Sequence, residues 1–159
     1  MNSIENRNRK QAGFNLIELM IVIAIIALLI GVGVPAWQSM VQSGNETTAV
    51  QSVNTIRTLQ AQYASKNKGN FAPTFDRLIE AVKLDEKFKG ETPLVNGYIY
   101  RMTVQEATTA RPSFYSINAD PQISTGLQAT GSRFFYFDST LGTIKQKEGE
   151  PAKATDPSV

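Results

Sequence analysis

The chain has 159 residues with 16 basic and 14 acidic side chains, which suits one modest domain plus an appended element and gives a nearly balanced charge. No basic cluster beyond the N-terminus is dense enough for a nucleic-acid-binding face, so no nucleic acid partner is predicted. Cysteine and histidine are both absent from the sequence, which excludes a thiolate metal site and removes the commonest general base.

Catalysis by this chain would have to rest on Asp, Glu, Lys, Ser or Tyr. The sequence contains no Gly-x-Ser-x-Gly pattern and no phosphate-binding Gly-Lys loop. The adjacent acids Asp85 and Glu86 lie in the lysine-rich stretch 83–89 and are interpreted as a solvated face. We therefore predict that the protein is not an enzyme and uses no cofactor.

The N-terminal part contains a long apolar segment, residues 14–37, in which the only charged side chain is Glu18. Residues 19–34 are apolar or glycine throughout, and about 20 such residues cross a hydrocarbon core of ~30 Å as a helix. The first charge after the segment is Glu46. Three basic residues precede the segment: Arg7, Arg9 and Lys10. The positive-inside rule therefore places the N-terminus in the cytoplasm and the rest of the chain across the membrane.

Three interpretations of this segment compete. A secretory signal peptide has a shorter apolar core and no use for an acid, although VPA (residues 34–36) resembles a cleavage site. A plain single-span anchor also leaves Glu18 unexplained, because an acid at the centre of a spanning helix costs about 2.5–3.5 kcal/mol, and less near an end. An ionisable group in such a segment is by default a functional hypothesis and needs a partner.

The third interpretation supplies that partner. The stretch GFNLIE (residues 13–18) closely resembles the class III leader junction of type IV pilins and type II secretion pseudopilins. The resemblance implies that a membrane prepilin peptidase removes the leader, residues 1–13, by cutting between Gly13 and Phe14, and then N-methylates Phe14. Glu18 would then pair with the new amine of Phe14, either within one chain or on a neighbouring subunit.

The end of the apolar segment contains residues that weaken helical hydrogen bonding: Gly31, Gly33 and Pro35. Such residues are equally typical of a tolerated kink in a transmembrane helix. In type IV pilins the matching region can lose helical hydrogen bonds in the filament, so the resemblance implies a helix-breaking region here. Asn15 stands where threonine is usual, a departure that we do not expect to disturb processing.

Residues 38–68 are predicted to form the amphipathic second half of one long helix, which ends at Gly69. The apolar stripe has spacings of three and four and contains Met40, Val41, Val50, Val53, Ile56, Leu59 or Gln60, and Tyr63. A folded domain is needed to cover this stripe.

Residues 69–147 are predicted to form a globular α+β domain. Apolar residues at helical spacing predict a short helix opened by Pro73 and Thr74: Phe75, Leu78, Ile79 and Val82. Alternating patterns predict four antiparallel strands, at 97–104, 113–119, 132–138 and 143–147. Residues 148–159 are rich in proline and charge and are predicted to be a flexible tail. This order of elements is similar to the type IV pilin and major pseudopilin fold, a long helix packed on a small antiparallel sheet.

Two features of the strands invite a functional interpretation. The aromatic run 134–137 is interpreted as core packing on both sheet faces and not as a stacking platform for a ligand. YSINAD (residues 115–120) looks like the start of the calcium loop of major pseudopilins. Calcium needs six to eight oxygens, however, and the only plausible carboxylates are Asp120 and Asp138. We therefore predict no metal site and keep these two residues as the calcium candidates.

Taken together, the resemblance implies a prepilin, the structural subunit of a helical type IV pilus-like filament. Its implied partners are other copies of itself, the prepilin peptidase, the inner membrane with its assembly platform, and a cytoplasmic ATPase. The subunit would wait in the bacterial inner membrane with its domain in the periplasm and then enter an extracellular pilus. The alternatives are a major pseudopilin of a periplasmic type II secretion pseudopilus and a membrane-anchored periplasmic binding module that never polymerises.

Overall fold

A computed structural model describes residues 14–159, so the leader 1–13 lies outside the described residues. Helix α1 spans Leu16–Lys66 and helix α2 spans Phe75–Val82, followed by a 3-10 turn at Glu86–Phe88. The strands are β1 (Leu94–Val95), β2 (Tyr98–Gln105), β3 (Phe114–Pro121), β4 (Arg133–Asp138) and β5 (Lys145–Glu148).

The five strands form one antiparallel sheet in the order β1-β2-β3-β4-β5, so each strand pairs with its neighbours in the sequence. The predicted α+β fold is thereby confirmed. The short strand β1 is additional, and it pairs Leu94 with Ile99 and Val95 with Tyr98. Asn96 and Gly97 connect β1 to β2 with positive φ angles of 48° and 74°. An Asn-Gly pair is the strongest short-range signal for such a hairpin, and it could have revealed β1 from the sequence.

The second half of α1 packs on the sheet within the compact unit Trp37–Val159. The helix residues buried in this packing are Glu46, Ala49, Ser52, Val53, Ile56, Gln60 and Tyr63. The predicted stripe began earlier, at Met40 and Val41, but these two side chains remain 73% and 39% exposed. The fully buried partners from the sheet include Tyr98, Tyr100, Ile117, Phe135 and Phe137.

Helix α2 has the predicted bounds because both of its ends are capped. The Thr74 side chain accepts a hydrogen bond from the backbone N–H of Arg77 at 3.2 Å. Lys83 ends the helix in a left-handed conformation with φ 61°, and its N–H bonds to the carbonyl of Leu78. The apolar face of the helix, including Phe75, is buried in the same core.

The C-terminal tail, for which the sequence predicts flexibility, forms backbone hydrogen bonds with the sheet. The N–H of Gln146 donates to the carbonyl of Pro157 at 2.8 Å, and the N–H of Val159 donates to the carbonyl of Ile144 at 3.0 Å. Ala152 is buried, and Asp156 lies 3.8 Å from the ammonium of Lys147. The tail is held because its backbone pairs with the free edge of β5, which a composition-based argument does not detect.

Candidate functional site

Helix α1 begins with two side-chain hydrogen bonds to backbone N–H groups, one accepted by Asn15 and one by Glu18. The Asn15 side-chain oxygen accepts from the N–H of Ile17 at 3.3 Å, and Glu18 Oε2 accepts from the N–H of Asn15 at 3.1 Å. This is the geometry of a capping box, in which the side chains satisfy N–H groups that the first helical turn leaves free. Glu18 therefore has a local partner, but that partner is the backbone of Asn15 and not Phe14, whose side chain is 92% exposed.

The first half of α1 exposes its apolar side chains in the isolated chain. No part of its most apolar 18-residue window is buried, and the large apolar residues from Leu16 to Val34 are between 42% and 74% exposed. Glu18 belongs to the first turn of this helix. A surface of this kind is stable only in lipid or against other apolar helices, because water contact costs about 25 cal/mol per Å² of apolar area.

The predicted helix-breaking region is helical in the isolated chain. Helix α1 continues through Gly31, Gly33 and Pro35 without interruption. Proline has no N–H, so Pro35 cannot donate to the carbonyl of Gly31 one turn earlier. A Cβ atom added to either glycine would meet nothing within 4 Å. Loss of helical hydrogen bonds here in a filament stays a prediction.

A buried carboxylate fixes α1 to the sheet, and we call this contact, formed by Glu46, Ser132 and Arg133, the Glu46 anchor. Glu46 Oε1 accepts from the backbone N–H of Ser132 at 2.9 Å, and Oε2 accepts from Arg133 Nε at 2.7 Å. The Glu46 side chain is only 7% exposed, whereas that of Arg133 is 40% exposed. Burial raises the pKa of Glu46, but the hydrogen bonds from Ser132 and Arg133 outweigh this and hold the pKa below its usual value.

A second buried polar contact joins α1 to the segment before α2. Gln60 is fully buried, and its side-chain oxygen accepts from the N–H of Ala72 at 2.8 Å. Its amide nitrogen donates to the carbonyl of the same residue at 3.0 Å. The Gln60 side chain thus forms the hydrogen bonds that the buried N–H and carbonyl of Ala72 would otherwise need from another backbone segment. Sequence reasoning placed Gln60 in the apolar stripe without a role and treated Glu46 only as the first charge after the apolar segment.

The two calcium candidates do not come together. Asp138 pairs with Ser116 in the β3–β4 register, whereas Asp120 lies four residues further along β3, about 13 Å away at ~3.3 Å per residue. Asp138 accepts from the N–H and hydroxyl of Thr140 at 2.8 and 2.6 Å.

Asp120 forms an ion pair with Arg101, so a cation is already present beside it. Among residues 14–159, no three side chains of the His, Cys, Asp or Glu type are grouped so that they could hold a metal ion. The side chains that are present therefore do not fit the calcium loop that the resemblance implied.

Comparisons with known proteins agree with these features. The family model for the prokaryotic N-terminal methylation motif matches residues 8–34. Prepilin peptidase-dependent protein D of Escherichia coli (strain K12) is 30% identical, over 81% of this chain and 97% of that protein. Two fimbrial proteins of Pseudomonas aeruginosa are each 42% identical, over 31% of this chain and 32% of their own length. No solved structure matches the chain at a significant level.

An exposed apolar helix with an acid in its first turn, followed by a helix-on-sheet domain, defines a membrane-anchored α+β protein with an N-terminal helical anchor. The chain belongs to the type IV pilin and type II secretion pseudopilin family, because it matches prepilin peptidase-dependent protein D over 97% of that protein's length and carries the methylation motif. Members of this family are structural proteins, and the motif together with the apolar helix indicates anchoring in the inner membrane.

Proposed function

We propose that this chain is a prepilin whose mature form, residues 14–159, is the structural subunit of a helical type IV pilus-like filament. Prepilin peptidase cuts between Gly13 and Phe14 and methylates the new amine of Phe14. The subunit is held in the inner membrane with its domain in the periplasm, and an assembly platform with a cytoplasmic ATPase adds it to the filament.

The observation that carries this proposal is that an exposed apolar helix has an acid, Glu18, in its first turn. Glu18 Oε2 accepts the N–H of Asn15, and within residues 14–159 no donor contacts Oε1. That oxygen is available to the cationic amine that cleavage would create on Phe14 of a neighbouring subunit. A buried charge that loses its partner costs about 3–5 kcal/mol, so such a pair would favour the correct axial position between neighbouring helices.

Processing is tested by intact-mass spectrometry of the protein purified from its native host. The expected mass is that of residues 14–159 with one amine hydrogen replaced by a methyl group, and a strain without prepilin peptidase should yield a chain that retains residues 1–13. An uncut and unmethylated N-terminus in the native host would overturn the proposal.

Assembly is tested by two substitutions that separate the charge of Glu18 from its local hydrogen bond. Glu18→Gln keeps an oxygen that can accept from the N–H of Asn15 but removes the charge, whereas Glu18→Ala removes both. If a charge pair between subunits drives assembly, both variants reduce filament yield at least about tenfold, since 1.4 kcal/mol already corresponds to that factor. Normal filaments from Glu18→Gln would refute the charge pair. Ile21→Leu, which conserves volume at an exposed apolar position, serves as the matched control.

The alternative within the same family is the major pseudopilin of a type II secretion system. The sequence has no cysteine, whereas typical type IVa pilins close their C-terminal region with a disulfide, so this alternative stays open. Deletion of the gene separates the two roles. Loss of surface fibres that contain the subunit supports a pilus, whereas loss of exported proteins with no change in surface fibres supports a pseudopilus. A deletion that changes neither surface fibres nor exported proteins would instead support the non-polymerising binding module.

A further inference from the structure

An exposed apolar surface lies at the start of the compact unit Trp37–Val159. We call it the Trp37 surface and define it by Trp37, Val41 and Leu127, which are 66%, 39% and 75% exposed. These side chains line one groove of about 260 Å³. The other residues of the groove are Gln38, Asn45, Gln128, Ala129 and Thr130.

The loop that carries Leu127 is held in place by hydrogen bonds at its base. The N–H of Thr130 donates to the carbonyl of Ile123 at 2.8 Å, and the Thr130 hydroxyl donates to the carbonyl of Gly97 at 2.7 Å. From helix α1, the Asn45 side chain donates to the carbonyl of Thr130 at 2.9 Å. These hydrogen bonds attach the loop to both the sheet and the helix, and the Leu127 side chain at its tip is exposed.

The Trp37 surface carries no charge. Residues 121–132, which include the whole loop, form the longest uncharged stretch after the N-terminal segment, and α1 has no charged residue between Glu18 and Glu46. An exposed loop without charge and with a leucine at its tip is suited to an apolar or interfacial environment. Tryptophan is enriched at the boundary between membrane and water, where its ring meets lipid chains and its N–H meets polar groups.

The Trp37 surface is also close to the membrane segment along the chain. Trp37 follows Val34, the last residue of the apolar run, by three positions, which span at most about 10 Å even in an extended chain. The headgroup region on one side of a bilayer is about 5–8 Å thick, and interfacial segments bury their apolar face about 5–10 Å into it.

We propose that the Trp37 surface docks into the lipid headgroup layer of the membrane that anchors the chain, with Leu127 and the Trp37 ring inserted. This docking limits the tilt of the domain on the membrane before assembly. The absence of charge predicts that zwitterionic and anionic lipids serve equally well. The inference rests on the membrane anchoring in the proposed function. A second copy of the chain is the other occupant, and the number of chains per disc in the test below separates it from lipid.

Two features of the sequence make the test direct. Trp37 is the only tryptophan, and the chain has no cysteine, so intrinsic fluorescence reports on Trp37 and single introduced cysteines can be labelled cleanly. The full chain is placed in phosphatidylcholine nanodiscs at one chain per disc. Leu127→Cys is labelled with an environment-sensitive fluorophore, and Leu94→Cys, which replaces a half-exposed leucine on β1, is the matched control.

The label at position 127 should be quenched by aqueous iodide at least about threefold less than the label at position 94, as expected for a side chain inserted at the interface. In the unsubstituted chain, lipids brominated near the headgroup should quench Trp37 more than lipids brominated deep in the acyl chain. Equal iodide quenching at both labels, in a chain that is firmly incorporated into discs, would overturn the inference and leave the anchoring intact. Protection that appears only with two or more chains per disc would overturn it in favour of a second copy. A chain that does not enter discs at all would instead contradict the anchoring.

Discussion

Removal of the Glu46 carboxylate should weaken the domain substantially. Glu46→Ala leaves the backbone N–H of Ser132 without its 2.9 Å partner and Arg133 Nε without its 2.7 Å partner. A hydrogen bond to a charged group contributes about 1.5–3 kcal/mol. The Arg133 side chain is 40% exposed, so water replaces much of its lost contact, and the partly buried N–H of Ser132 dominates the cost. We expect a loss of about 2–4 kcal/mol in the free energy of unfolding, a large share of the ~5–15 kcal/mol typical of a domain.

The measurement is pulse proteolysis of the full chain in detergent across a urea series, because cleavage then reports the fraction of unfolded domain. Glu80→Ala is the matched control, since Glu80 forms an exposed pair with Arg77 and should leave the urea midpoint unchanged. A Glu46→Ala midpoint equal to that of the control would refute the argument that the anchor stabilises the domain.

The Glu46 anchor also predicts a pH dependence of stability. The pKa of folded Glu46 lies below its ordinary value of 4.5, so the unfolded chain binds a proton more readily than the folded one. The stabilisation is therefore fully present above about pH 5 and is lost as the pH falls through the folded-state pKa. Urea midpoints measured from pH 6 down to pH 3 should fall more steeply for the unsubstituted chain than for Glu46→Ala, and parallel profiles would contradict the assignment.

Two further substitutions test other tertiary contacts by the same assay. Gln60→Met keeps the side-chain volume but leaves the buried N–H and carbonyl of Ala72 unpaired. We therefore expect the free energy of unfolding to fall by about 2–4 kcal/mol. An unchanged urea midpoint would show that these two groups find other partners. Gly97→Ala should lower the free energy of unfolding by about 2 kcal/mol, because Gly97 has φ +74° and an added Cβ would lie 2.7 Å from the Cβ of Thr130. Gly142→Ala is the matched control, because a Cβ added there meets nothing within 4 Å, and it should leave the urea midpoint unchanged. Equal effects of the two glycine substitutions would argue against strain at position 97.

Elements with local patterns were predictable from the sequence. The periodicity after the apolar segment predicted the continuation of α1, and the Pro73-Thr74 pair with its spaced apolar residues predicted α2. The motif at residues 13–18 predicted the family, which the comparisons then confirmed. The contacts of the tail with β5 were not predictable, because they are backbone hydrogen bonds and do not depend on the apolar composition that the prediction used.

The sequence by itself determined the apolar character of the first half of α1, the isolated position of Glu18 and the order of the two helices and of strands β2 to β5. All of these follow from properties of residues that are close together in the chain. Only the tertiary structure decided that Glu46 meets Arg133, 87 positions away, and that Asn45 fastens Thr130, 85 positions away. The same holds for the groove that Trp37 shares with Leu127. No local pattern encodes these contacts, because each depends on how the sheet packs against the helix, and that packing is set by the whole core at once.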